Sequence, residues 1–169
     1  LSAKGHSVDA VIFDSSEKNL ELIAREGGEG TRVLDPEHAL EQLAGYDLTI
    51  DGILGTGSSG AVRGSAGEYL GVLRAAQLDG KLGAVLAVDT PSGVDNNRGT
   101  VHEPSLRADR TVTFIGHKLP AGTSHSVHSG DIKLYDLGVP EALDAHKPAL
   151  RVLDREDYRE PVSYTHLRA

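Results

Sequence analysis

Cysteine, methionine and tryptophan are absent from all 169 residues, and the absences remove whole classes of chemistry. Without cysteine there is no disulfide, no thiol nucleophile and no zinc site built on thiolates. Aromatics are scarce too, with two Phe and five Tyr, so a core must be packed from Val, Leu, Ile and Ala. No apolar run approaches the roughly 18 residues that a membrane span needs. Positive charge is outnumbered, with 17 Lys and Arg against 25 Asp and Glu. The formal charge of −8 argues against nucleic acid or an anionic membrane as partner. A cytoplasmic protein is the expectation, and the length suits a single α/β unit.

What the chain does have is alternation. Residues 8–13 are mostly β-branched and apolar and read as a buried strand. Ser16 can cap the next helix, where Leu20, Ile23 and Ala24 share one face, and Gly27 to Gly30 stop it. Residues 31–34 form a short strand, and Asp35-Pro36 opens a second helix with proline in its first position. Residues 48–54 are a strand, 66–78 a helix and 83–88 a strand without a polar side chain. Strands over 110–115 and 132–137 follow, then a short helix over 140–145. Alternating elements with apolar strands predict an α/β fold: a Rossmann-like, doubly wound, mainly parallel sheet. Helices on both faces would make three layers, α/β/α.

In such sheets a ligand lies beyond the carboxyl ends of the strands. Three strand ends carry the polar residues that matter. Asp51-Gly-Ile-Leu-Gly-Thr-Gly-Ser-Ser-Gly60 follows a strand and fits G-x-G-x-x-G at Gly55, Gly57 and Gly60. Glycines there let N–H groups approach a pyrophosphate, and the next helix adds its positive N-terminus. Ala87-Val-Asp-Thr-Pro-Ser-Gly-Val-Asp95 places Asp89, Ser92 and Asp95 around a Pro-Ser-Gly turn. Gly116-His-Lys118 brings a lysine to the same edge. Asp51 sits inside an apolar strand, where a buried carboxylate needs a partner, so ligation explains it better than structure does.

Several other signals have plainer readings. Asp89 could simply cap its turn through the backbone. Asp95 to Gly99 looks like the start of a calcium loop, but it lacks the distal Glu and reads as a turn. His125 and His128 have metal-like spacing, yet they lie among Ser and Gly and are expected to be exposed. Lys118 reads as surface charge or as a phosphate contact.

The four motifs together resemble the NAD(P)H-hydrate epimerase family, the YjeF N-terminal domain, from about residue 3 to 140. Arg107-Ala-Asp-Arg-Thr-Val-Thr-Phe114 with Lys118, and Asp136-Leu-Gly-Val-Pro140, carry the later part of that likeness. The resemblance implies that Asp51 and Ser92 hold a potassium ion. It implies that Gly55, Thr56, Gly57, Ser58, Ser59, Gly60 and Ala61 contact the phosphates of the substrate, with Asp89 facing its reacting end. That substrate is NADH or NADPH hydrated at ring carbon 6, where the hydroxyl shares a carbon with the ring nitrogen. Inverting this centre means expelling the hydroxyl with help from the nitrogen lone pair and adding water to the other face. One carboxyl, Asp89, could serve both halves as acid and then as base. A hard monovalent cation takes oxygen ligands, which Asp51 and Ser92 supply.

The resemblance sets further expectations. A domain over 1–149 would lack the N-terminal part that bears the family's Asn-Asn-Gly-Gly-Asp-Gly loop. Residues 150–161 would lead to a second domain, an ADP- or ATP-dependent dehydratase, and 162–169 read as a non-native tail. A homodimer is allowed, and neither nucleic acid nor membrane is expected as a partner. Two other functions fit parts of the pattern. One is a dinucleotide oxidoreductase, with Asp89 on a ribose. The other is a non-catalytic scaffold of the same fold.

Overall fold

A computed structural model describes residues 4–13, 17–27, 30–55, 60–118 and 127–138. β1 (Val8–Ala10) runs to α1 (Glu17–Glu26) and then to β2 (Thr31–Val33), which pairs with β1 in parallel. Asp35 caps α2 (Pro36–Glu41) by accepting the His38 N–H at 3.0 Å. That bond satisfies one of the free donors of the first turn, as the Asp-Pro pair predicted. A 3-10 turn (Leu43–Gly45) leads to β3 (Leu48–Asp51), then α3 (Gly64–Leu78) and β4 (Ala84–Val88). A small antiparallel hairpin, β5 (Val94–Asp95) with β6 (Thr100–Val101), precedes β7 (Arg110–Phe114) and β8 (Asp131–Tyr135).

The main sheet has the order β3-β4-β7-β8, and every pair in it is parallel. Strand alternation sends Asp51, Val85, Ala87, Thr111 and Thr113 to one face, where all five are buried. Leu70 and Leu73 of α3 pack there with Val85, Ala87, Leu106 and Ala108. Full burial of a leucine such as Leu70 contributes about 1.5–3 kcal/mol. Leu48 and Ile50 point to the opposite face and keep 43% and 44% of their surface exposed. The β1–β2 pair is tied to this body through Asp9, whose carboxylate accepts the Tyr46 hydroxyl at 2.6 Å and both donors of Arg32 at 2.7 Å. No helix among the described residues is long and apolar enough to cross a membrane.

The alternation of elements is as the sequence predicts, but several ends differ. The strand expected over 8–13 stops at Ala10 and is half-buried, because β2 is the strand it pairs with among the described residues. Phe13 instead meets Tyr69 ring to ring, with centroids 5.2 Å apart. The strand expected to reach Leu54 stops at Asp51, whose carboxylate turns back to accept the Ile53 N–H at 3.4 Å. The β5–β6 hairpin went unread because two-residue strands are too short to show a period. The proposed cap Ser16 and the helix over 140–145 lie outside the described residues.

Candidate active site

Two acidic residues stand at the carboxyl ends of neighbouring strands, Asp51 on β3 and Asp89 just past β4. Asp51 is 3% exposed. Its Oδ1 accepts the Ser92 hydroxyl at 2.6 Å and its Oδ2 the Ser92 N–H at 2.8 Å. The Ser92 oxygen in turn accepts the Leu54 N–H at 3.1 Å, which ties down the start of the glycine segment. Burial pushes the Asp51 carboxyl above its ordinary range, and the hydrogen bonds from Ser92 and Ile53 oppose that only in part. Among the described residues no cationic side chain pairs with it. A buried carboxyl bonded to a hydroxyl, with no positive partner among the described residues, is an unusual arrangement.

Gly93 makes the turn at Ser92. Its φ is 92°, and a Cβ there would lie 2.6 Å from the His102 carbonyl oxygen. Only glycine fits both the backbone and the space.

Asp89 has φ 69°, a conformation that Asp tolerates better than most residues. The Thr90 N–H donates to the Val88 carbonyl at 2.9 Å across it, as in a γ-turn. The next strand repeats the device. Ile115 has φ 68°, and the Gly116 N–H donates to the Phe114 carbonyl at 2.7 Å. These paired turns end β4 and β7 abruptly and bring Lys118 back over Asp89. The Lys118 Nζ lies 3.0 Å from Asp89 Oδ1, and the Thr113 hydroxyl donates to the same oxygen at 3.1 Å. Both charged side chains are largely buried, 21% and 11% exposed. They line a small cavity, about the size of one water molecule, together with Thr90, Thr111, Thr113, Ser129 and Ile132.

The structure thus brings Asp51 to Ser92, and Asp89 to Lys118. Gly55 is exposed, Gly60 has φ 83°, and Ala61 is half-buried on the approach to α3. Thr56, Gly57, Ser58 and Ser59 lie outside the described residues. α3 begins at Gly64 with no side-chain cap, so its first N–H groups are available to an anion. Sequence reasoning missed Thr111 and Thr113, although two threonines at period two in an apolar strand are a visible signal.

Two plainer readings are settled by the geometry. Asp95 is a turn residue: its Oδ1 accepts the N–H groups of Asn97 at 2.8 Å and Arg98 at 3.0 Å. His128 is not exposed as expected but 9% accessible, and its Nδ1 has no partner. Burial, joined by the charge of Arg107, pushes its pKa below the ordinary value. His125 lies outside the described residues.

Comparison with known proteins places this geometry in context. Residues 1–119 match the family described as YjeF-related protein N-terminus. A bifunctional NAD(P)H-hydrate repair enzyme of Mycobacterium tuberculosis is 31% identical over 143 residues, covering 82% of this chain and 27% of the relative. An NAD(P)H-hydrate epimerase of Microbacterium testaceum is 35% identical over 154 residues, covering 89% of this chain and 58% of the relative. The chain therefore spans about a quarter of the bifunctional relative's length. The crystal structure of the yeast protein ynu0 (YNL200c) superposes with a TM-score of 0.62 at 19% identity. It covers 82% of this chain and 58% of the yeast chain, and it supports the fold.

Proposed function

The chain belongs to the YjeF-related protein N-terminal family, and from that premise we propose that it epimerises hydrated NADH and NADPH. One observation carries the reading beyond family membership. An acidic side chain with one anchored oxygen stands at the carboxyl end of one strand, and a buried carboxyl gripped by a serine ends the neighbouring strand. The named relatives, an epimerase and a bifunctional repair enzyme of hydrated NAD(P)H, support the substrate class.

In this reading Gly55 to Ala61 and the uncapped start of α3 hold the phosphates, with amides and helix dipole opposing their charge. Asp51 and Ser92 offer hard oxygens to a potassium ion, which fits a buried carboxyl with no cationic side chain against it among the described residues. When bound, that ion supplies positive charge that offsets Asp51 and steadies the glycine segment through Ser92 and Leu54. Asp89 faces ring carbon 6. There the C–O bond breaks as the ring nitrogen lone pair forms C=N, and water then adds to the other face. The departing hydroxyl leaves as water with a proton from the Asp89 carboxyl, which takes one back from the incoming water. A cytoplasmic setting suits cofactor repair, and a dehydratase unit beyond residue 149 fits the bifunctional relative.

The oxidoreductase reading is weaker, because a Pro-Ser-Gly turn follows Asp89 and the glycine loop stands mid-chain. The test is isotopic. A single epimer of hydrated NADPH incubated with the chain in ¹⁸O-water should gain label at carbon 6 as fast as it epimerises. Epimerisation without label would contradict loss and re-addition of water, and no acceleration of either would contradict the function.

A further inference from the structure

Lys118 is a largely buried charged residue beside Asp89 that the function above leaves unused. It follows β7 by four residues and is folded back by the turn at Ile115. Its Nζ donates to the Phe114 carbonyl at 3.0 Å and the Gly116 carbonyl at 3.3 Å, and lies 3.0 Å from Asp89 Oδ1. An ammonium has three N–H donors, and these three acceptors use all of them. A lysine so saturated is not arranged to give a proton to substrate or to clamp a phosphate. Nor is it a loose surface pair, since both side chains are largely buried.

The effect on Asp89 is asymmetric. Oδ1 receives Lys118 and Thr113, while Oδ2 has no protein partner among the described residues. The other residues lining the cavity, three threonines, Ser129 and Ile132, carry no charge. Lys118 is thus the charged group that faces Asp89 there.

We propose that Lys118 is a positioning residue that holds the Asp89 side chain in place, with Oδ1 committed and Oδ2 left to meet the substrate. The proposal rests on the epimerase reading and refines it. Because Oδ1 already accepts two hydrogen bonds, Oδ2 is the oxygen that handles the substrate's protons. It gives a proton to the departing hydroxyl, which leaves as water, and takes one back from the incoming water. Protons balance over the cycle, and no co-reactant is needed.

The experiment compares Lys118→Met and Lys118→Arg with the parent chain, using single epimers of hydrated NADPH across pH. Lys118→Met should lower kcat by about 100-fold, the scale of a misplaced catalytic group, with KM nearly unchanged. Lys118→Arg keeps the charge and the donors and should recover most of the lost kcat. A rise in KM at constant kcat, or no recovery in Lys118→Arg, would overturn the proposal. If the parent chain fails to epimerise at all, the functional reading falls separately. Crystal structures of the parent and of Lys118→Met then decide the positioning role. An Asp89 side chain turned away from Thr113 in the variant supports it, and an unchanged side chain overturns it.

Discussion

Ser92 grips Asp51 twice, its hydroxyl donating to Oδ1 at 2.6 Å and its N–H to Oδ2 at 2.8 Å. The two residues are 41 apart in the chain, yet they join the ends of β3 and β4 into one buried unit. The Leu54 N–H on the Ser92 oxygen extends that unit into the glycine segment. Whatever occupies the space beside Asp51 is therefore coupled mechanically to the start of the glycine segment.

This unit predicts a cation-dependent stability with a defined sign. Burial raises the Asp51 pKa above its ordinary value of 3.8, so the folded chain holds this proton more tightly than the unfolded chain. Stability from this group is present at low pH and falls as pH rises from 3.8 through the raised value. Potassium at neutral pH should restore it, and tetramethylammonium should not. In Asp51→Asn both the pH slope and the potassium dependence should vanish from melting curves. Equal melting temperatures in the two salts would contradict the site.

Gly93 predicts a steric failure. In Gly93→Ala the backbone conformation alone costs about 1–2 kcal/mol, before the contacts with the carbonyls of His102 and Pro104 are counted. Denaturant unfolding should show at least that loss. Because Ser92 is the adjacent residue, the potassium dependence should weaken as well. A variant as stable as the parent, with its salt response intact, would show that the turn relaxes freely.

His128 predicts an acid-side weakness. Burial and the charge of Arg107 lower its pKa from 6.5, so the unfolded chain binds this proton first. Stability is undiminished above pH 6.5 and falls as pH drops from there through the lowered value. His128→Gln should flatten the stability profile over that window. An unchanged slope would assign the acid sensitivity elsewhere.

Much of this was legible in the sequence, and the misses have physical causes. The parallel sheet follows from apolar runs such as 84–88, and the α2 cap from Asp35-Pro36, because both depend on local chemistry. Asp51 betrayed itself as a carboxylate inside an apolar strand. The Asp89–Lys118 pair was not legible, since it depends on two residues with positive φ, Asp89 and Ile115, that reverse the chain at neighbouring strand ends. Nothing in an isoleucine announces that conformation. His128 was misjudged because its Ser and Gly neighbours look like an exposed loop, whereas its main chain pairs with Ala108 beside the core.

The central claim is that this chain inverts carbon 6 of hydrated NADPH with Asp89 as the proton-handling group. The most direct measurement is the rate at which one pure epimer converts to the other, in the parent chain and in Asp89→Asn. The substitution keeps shape and removes the base, so the rate should fall by about 10²–10⁴-fold while substrate affinity changes far less. An Asp89→Asn variant that epimerises at the parental rate would contradict the account.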